Sequence, residues 1–261
     1  MSYVHGHHAT VLSSHQWRTV ENSAAYLVEH LRPGATVLDV GCGPGTITAG
    51  LAERVAPGKV TGVDAAASVL DEARRATEGL NVEFAVADVH ALDFADATFD
   101  VVHAHQVLQH VPDPVRALRE MRRVCKPGGV VAARDADFGT MAWYPSPPGM
   151  DAWRPVYYRT ARDGGGEPDG GRRLVSWARA AGFTDVTASA SAWCYSTPEE
   201  REWWSESWGG RMLRSSVADR AVAGGHATRA ELERIYAGWK EWAAAEDGWY
   251  SVTHGEVVCR R

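Results

Sequence analysis

The stretch Val37-Leu-Asp-Val-Gly-Cys-Gly-Pro-Gly-Thr46 holds the residue types that let a backbone cradle a nucleotide-like ligand. Val37, Leu38 and Val40 form an apolar run suited to a buried parallel strand. Gly41, Gly43 and Gly45 alternate behind it, and Ile47, Leu51 and Val55 then fall on one stripe of a helix. Glycine lets a ligand approach bare backbone and accepts positive φ. Two acids frame the turn. Asp39 lies inside it, and Asp64 closes the next strand-like run, Val60-Thr-Gly-Val-Asp64. An acid about 20 residues past the glycines suits a ribose diol.

Spacing separates two ligand classes. A dinucleotide fingerprint reads G-x-G-x-x-G and sets a pyrophosphate on a helix N-terminus. Here the pattern is G-x-G-x-G, with Asp39 two positions before the first glycine. A carboxylate there repels a diphosphate and helps seat a cation. A structural glycine turn in some other α/β protein is the plain alternative. The motif resembles the nucleotide-binding signature of class I S-adenosylmethionine-dependent methyltransferases. The resemblance implies that Asp39, Gly41, Cys42, Gly43 and Gly45, with Asp64 and Ala65, hold S-adenosylmethionine.

Further matches follow in order. Val82–Asp88 reads as a strand ending in an acid, followed by Val89. In the resembled family such an acid meets the adenine amino group, and the next backbone N–H meets a ring nitrogen. Phe99–His105 is a fourth strand, and Pro112-Asp-Pro114 opens a helix through Val124. Lys126-Pro-Gly-Gly129 turns into strand Val130–Ala133. The run "FDVV…VLQHV…LREMRRVCKPGG" is similar to the family in order and spacing. The likeness covers residues 34–134 and is nearest the branch with ubiquinone and menaquinone C-methyltransferases. The segment "SSHQWRTVENSAAYLVEHLRPG" also resembles natural-product methyltransferases, including enzymes that S-methylate dithiols.

The elements that must position these residues form one α/β domain spanning 1–261. The expected fold is a Rossmann-like, doubly wound sheet of seven strands, the last antiparallel, with added lid helices. Residues 1–33 supply a helical prelude from about Ser14 to Leu31, and residues 34–134 the cofactor core. The helix Gly170–Ala181, the strand Val186–Ala190 (extending toward Tyr195) and the final strand Tyr250–Val258 complete the sheet. Two insertions, 135–169 and 198–247, are read as substrate lids. Ten of the 11 tryptophans lie after residue 142, and large, rigid amphipathic rings suit a cover over an apolar ligand. Tyr3, Trp17, Trp143, Trp203 and Trp204 are the candidate pocket residues; packing of added helices is the alternative for any one of them. His15 and Arg18 accompany Tyr3 and Trp17 on the prelude.

Bulk properties narrow the partners. The chain has 261 residues and a net charge of −6, so no phosphate-backbone footprint is present. No apolar run reaches membrane-spanning length, and the first residues lack a basic-then-apolar signal pattern. Cys42, Cys125, Cys194 and Cys259 are far apart and read as reduced thiols of a cytoplasmic protein. His5, His7 and His8 have no carboxylate or cysteine nearby and read as a solvated patch, so no metal is expected. The expected partner is a small-molecule acceptor, with no nucleic acid and no membrane span; a homodimer is left open.

The chemistry implied by the cofactor is an in-line displacement by an acceptor atom (O, S, N or C) within a closed, tryptophan-rich pocket. Holding two reactants at near-attack distance supplies roughly 7–11 kcal/mol of barrier reduction. A base helps only where the nucleophile must lose a proton. His105 and His110 stand near the carboxyl end of strand four, where α/β ligands bind; His105 is counted with the cofactor-binding residues, and His110 is the candidate catalytic residue. A thiol acceptor needs little base. Two other classes remain: a S-adenosylmethionine-binding protein that no longer methylates, cyclase-like or regulatory, and a nicotinamide oxidoreductase disfavoured by the glycine spacing. A single domain is expected to resist limited proteolysis without releasing a stable fragment from beyond residue 140; recovery of such a fragment by mass spectrometry contradicts it.

Overall fold

A computed structural model describes residues 16–261. Tyr3, His5, His7, His8 and His15 lie outside the described residues. The described chain divides into two compact units. A sheet unit comprises 16–136, Gly170–Ser191 and His254–Arg261, and an aromatic unit comprises Asp137–Asp169 and Ala192–Thr253.

The strands are β1 Thr36–Val40, β2 Lys59–Asp64, β3 Val82–Val86, β4 Phe99–His105, β5 Cys125–Ala136, β6 Ala142–Tyr144, β7 Asp185–Tyr195 and β8 Trp249–Arg260. The order β3-β2-β1-β4-β5-β8 is parallel through β5, and β8 runs antiparallel to β5. β7 pairs with β8. All seven expected strands are present, with the last antiparallel. The eighth, β6, pairs antiparallel with residues 249–251 of β8. Three residues show no alternation in sequence, so only pairing reveals such a strand.

The helices are α1 Val20–Ser23, α2 Thr46–Val55, α3 Ala67–Ala76, α4 Pro114–Val124, α5 Pro148–Asp163, α6 Gly170–Ala180, α7 Pro198–Arg214, α8 Ser216–Ala223 and α9 Arg229–Ala244. In the sheet unit, Leu38, Val102, Val131 and Val257 point to one face under Leu118, Met121 and Leu174 of α4 and α6. Val37, Val101 and Val130 point to the other, under Leu27 and under Leu51 and Val55 of α2. This period-two alternation in parallel strands covered on both sides makes the sheet doubly wound.

The expected helix over about 14–31 is broken. Among the described residues α1 and a 3₁₀ turn, Ala25–His30, are separated by Ala24 at φ −139°. Thr19 and Asn22 cap α1 reciprocally, and Asn22 Nδ2 donates to the Trp17 carbonyl at 3.0 Å. Short polar side chains offer the backbone partners that compete with a continuing helix.

The aromatic unit is a helical cluster built on α5, α7, α8 and α9. Thr197 with Glu200 and Thr228 with Glu231 form capping boxes that start α7 and α9. Gly149 and Gly238 mark where α5 and α9 touch: a Cβ on Gly238 would meet backbone of Gly149 and Met150. Trp153, Trp239, Trp242 and Tyr250 are fully buried. Trp153 lies 4.9 Å from Trp208 and 5.4 Å from Trp239, ring to ring, at tilted angles favoured by aromatic quadrupoles. Most of the tryptophan excess is therefore the core of this unit.

The Asp135 carboxyl is buried at the end of β5. Asp135 Oδ1 accepts the Gln109 N–H at 3.2 Å, whereas Oδ2 is buried without a hydrogen bond among the described residues. Burial pushes this carboxyl up to about 7, against the lowering effect of the Gln109 N–H and the Arg134 charge. A folded-state value above the unfolded one means stability that is fully present below about pH 4 and lost as pH rises toward 7. Asp135→Asn keeps the acceptor and removes the titration. Urea unfolding should show the variant gaining on the parent between pH 4 and 7, by at most about 4 kcal/mol, then no further change.

Candidate functional site

The glycine turn sits at the carboxyl end of β1. Gly41, Gly43 and Gly45 adopt φ of 68°, 52° and 83°, which favour glycine. Gly41 N–H and Cys42 N–H both donate to the Val63 carbonyl, at 2.7 and 3.0 Å. Asp64 closes the arrangement: Oδ2 accepts the Gly43 N–H at 3.1 Å and Oδ1 accepts the Ala66 N–H at 2.9 Å. A Cβ on Gly41 would collide with Val107 Cγ2, and one on Gly45 would press on the Ala73 backbone of α3. A Cβ on Gly43 would meet nothing within 4 Å. The turn is packed behind and open at Gly43, a cradle of bare backbone with a carboxylate at its edge. Ala65 is exposed beside it. These residues fit a ligand that presents a diol and a positive centre.

Cys42 faces away from redox chemistry. Its side chain packs with Val69, Leu70 and Phe84, and burial, then the Asp39 and Asp64 charges, push the thiol far above its usual range. Asp39 is buried, and both its oxygens meet protein groups. Oδ2 accepts from Thr48 Oγ1 of α2 at 2.6 Å, and Oδ1 meets His103 Nδ1 of β4 at 2.9 Å. In this structure Asp39 joins β1, β4 and α2 beneath the turn.

Asp88 lies just past β3, exposed. Its Oδ1 accepts the His90 N–H at 2.9 Å and meets His90 Nδ1 at 2.7 Å. The His90 backbone N–H, more than its ring, holds the carboxyl below its usual range. Val89 is buried among the core residues of the α4 face.

A polar group gathers at the carboxyl ends of β4 and β5 and on the facing residues of antiparallel β8. His105 is buried, its ring 6.3 Å from that of His254. Burial, then the Arg18, Arg134 and His254 charges, lower its affinity for a proton well below the ordinary imidazole. Arg134 and Glu256, partners across β5 and β8, pair at 3.1 Å, and Ser189 Oγ donates to the other Glu256 oxygen at 2.7 Å. The Tyr26 hydroxyl is buried without a hydrogen bond among the described residues, and burial raises it well above the ordinary phenol. His110 is half-buried in the 3₁₀ turn Leu108–His110, its Nε2 3.0 Å from Gln109 Nε2. The sequence pattern singled out His105 and His110 but not Tyr26, His103, Arg134 or Glu256. The one signal for His103, Arg134 and Glu256 was charge and polarity inside apolar strands; Tyr26, in the 3₁₀ turn before β1, had none.

The candidate pocket residues divide. Trp17, 39% exposed, belongs to the sheet unit. Trp143, Trp203 and Trp204 belong to the aromatic unit. There Trp143 is half-buried, stacked 5.8 Å from Tyr250 beneath the Arg154 guanidinium. Trp204 is buried and stacks 4.2 Å from Tyr195, and Trp203 is half-buried at 5.8 Å from the same ring. Among the described residues no group of three or more His, Cys, Asp or Glu could hold a metal ion. No described helix is long and apolar enough to cross a membrane.

Residues 38–133 match the family model described as a methyltransferase domain. A protein of Schizosaccharomyces pombe named as an uncharacterised methyltransferase is 34% identical over 270 residues, covering 99% of this chain and 96% of its own length. The demethylmenaquinone methyltransferase of Staphylococcus aureus is 39% identical over 113 residues, 42% of this chain and 47% of that one. Among solved structures, the YcgJ protein of Bacillus subtilis superposes with a TM-score of 0.60 at 17% identity, covering 91% of this chain and 97% of its own, a likeness of fold. The matched span contains the glycine turn, Asp39, Asp64, Asp88 and His105, and the full-length relative extends the kinship through both units: the chain belongs to the class I S-adenosylmethionine-dependent methyltransferases.

Proposed function

We propose that this methyltransferase acts on a small, largely apolar or aromatic metabolite. The observation that carries the reading is the cradle of Gly41–Gly45 joined to Asp64, with an aromatic unit added to the sheet unit. We assign the turn backbone and Asp64 to the donor, Asp64 taking the ribose hydroxyls and Asp88 with the Val89 N–H serving the adenine. Asp39 supports the turn through Thr48 and His103. For the acceptor, the support is chemical. The net charge of −6 opposes a polyanionic partner, and the residues added after β5 and β7 are rich in tryptophan and tyrosine.

Bound S-adenosylmethionine supplies an already activated methyl on a sulfonium. The chain's own residues then have three tasks. The turn backbone and Asp64 hold the donor in one pose. Aromatic side chains remove apolar acceptor surface from water, at roughly 25 cal/mol per Å². An acceptor O–H or N–H must surrender its proton, and His110, half-buried at the end of the β4 turn, is the assigned base. A thiol acceptor dispenses with it. Of the aromatic residues, half-buried Trp143 and Trp203 are better placed to meet a ligand than buried Trp204.

Calorimetry with S-adenosylmethionine tests the donor assignment. Asp64→Ala removes a charged acceptor worth roughly 1.5–3 kcal/mol, so affinity should fall about tenfold or more. An unchanged dissociation constant places the ribose elsewhere. For the acceptor, labelled S-adenosylmethionine and a panel of thiols, phenols and amines should reveal label transfer to an apolar or aromatic member. Trp203→Ala should lower that transfer while leaving donor affinity intact. Donor binding with no transfer to any member supports the non-methylating alternative.

A further inference from the structure

Gln106 is one of two non-glycine residues with positive φ in the described chain, at 53°. It directly follows β4. Its N–H donates to the Arg134 carbonyl at 2.7 Å, so the left-handed backbone is held by the neighbouring strand. Such a conformation for a long side chain persists where the surroundings over-determine it.

The side chain shows what over-determines it. Arg18 Nη2 donates to Gln106 Oε1 at 2.7 Å. Arginine only donates, so the carboxamide oxygen must face it. The carboxamide nitrogen therefore faces His254 Nε2, 2.8 Å away, and donates to it. Gln106 thus joins three segments distant in sequence: the stretch before β1, the end of β4 and the start of β8's sheet-unit half. The next residue, Val107, fills the space a Cβ on Gly41 would need. Gln106 is one peptide bond from a side chain that packs on the glycine turn.

The stretch before β1 is anchored on the far side as well. Gln16 Nε2 donates to Glu72 of α3, and Glu21 pairs with Arg54 of α2. α3 follows β2, and Gln106 follows β4. The sheet order is β2-β1-β4, so residue 16 and residue 18 are tied down on opposite sides of β1, whose carboxyl end carries the glycine turn.

We propose that Gln106 is a positioning residue for the methyl donor: it fastens residues 16–18 as a strap across the glycine turn and thereby sets how long the cofactor stays bound. The proposal rests on the reading of the turn as the donor's cradle. Arg18 and Gln106 act as one fastening, and the positive φ aims the carboxamide at both partners.

Release of S-adenosylhomocysteine from the full chain, followed by stopped flow, is the test. Gln106→Met keeps the volume and removes both hydrogen bonds; dissociation should accelerate about tenfold. Arg18→Met should do the same, and the double variant should release no faster than the faster single. Gln106→Gly relieves the backbone and deletes the carboxamide. It should keep or raise the melting temperature and still release quickly, which a purely structural role does not allow. Hydrogen exchange should show amides 17–24 protected by S-adenosylhomocysteine in the parent but not in Gln106→Met. Parent-like release in both Met variants, or additive effects in the double, overturns the strap. Asp64→Ala separates the two ideas. If it weakens binding while the Gln106 and Arg18 variants release normally, the strap alone fails. If Asp64→Ala binds as the parent does, the cradle reading fails and the strap with it.

Discussion

Everything near the candidate site depends on one close approach, the backbone of residues 41–43 lying against the end of β2. Two N–H groups share the Val63 carbonyl, and a third reaches the Asp64 carboxylate. The parallel pairing of β1 with β2 places these groups in register. At positions 41 and 45 only a residue without a Cβ fits, because Val107 occupies the space beside Gly41 and Ala73 the space beside Gly45. The turn thus aligns β1, β2, α2 and α3 and leaves its own outer surface bare at Gly43. A ligand there meets bare backbone and a carboxylate already held in place, so little ordering remains to oppose binding.

Beneath the turn lies a second layer of polar contacts. Asp39, His103 and Thr48 tie β1, β4 and α2 together, and Arg134, Glu256 and the serines of β7 tie β5 to β7 and β8. Buried charges of this kind are costly unless fully partnered, and replacement by apolar residues is often neutral or stabilising. Their position, at the carboxyl ends of the strands, is where α/β enzymes build their sites. His105, whose affinity for a proton is lowered by burial and by neighbouring cations, adds an uncharged imidazole to that layer rather than a positive charge.

The aromatic unit follows a different logic. Its tryptophans pack mainly on each other, around Trp153, with Gly149 and Gly238 letting α5 and α9 touch. A rigid aromatic core gives a stable frame from which half-buried rings such as Trp143 and Trp203 present apolar faces. The composition that suggested a ligand cover is therefore in larger part the packing of this unit's own core.

The residues alone determined the central strands. Apolar runs in Val37–Val40, Val60–Val63 and Val101–Ala104 dictate buried parallel strands, and the glycine spacing with Asp64 dictates the turn between them, because these signals are local and periodic. Helix starts at Thr197 and Thr228 are equally local in origin, each a capping box of neighbouring residues. Tertiary structure decided the rest. The prelude helix broke at Ala24 where local polar caps outweighed a weak apolar stripe. β6 exists only because β8 pairs with it. Asp39 met His103, and Gln106 met Arg18 and His254, across 64, 88 and 148 residues of chain. No periodicity records such encounters, since which polar side chains meet at the strand ends is set by sheet order and register, and these emerge only when the whole apolar surface is buried at once.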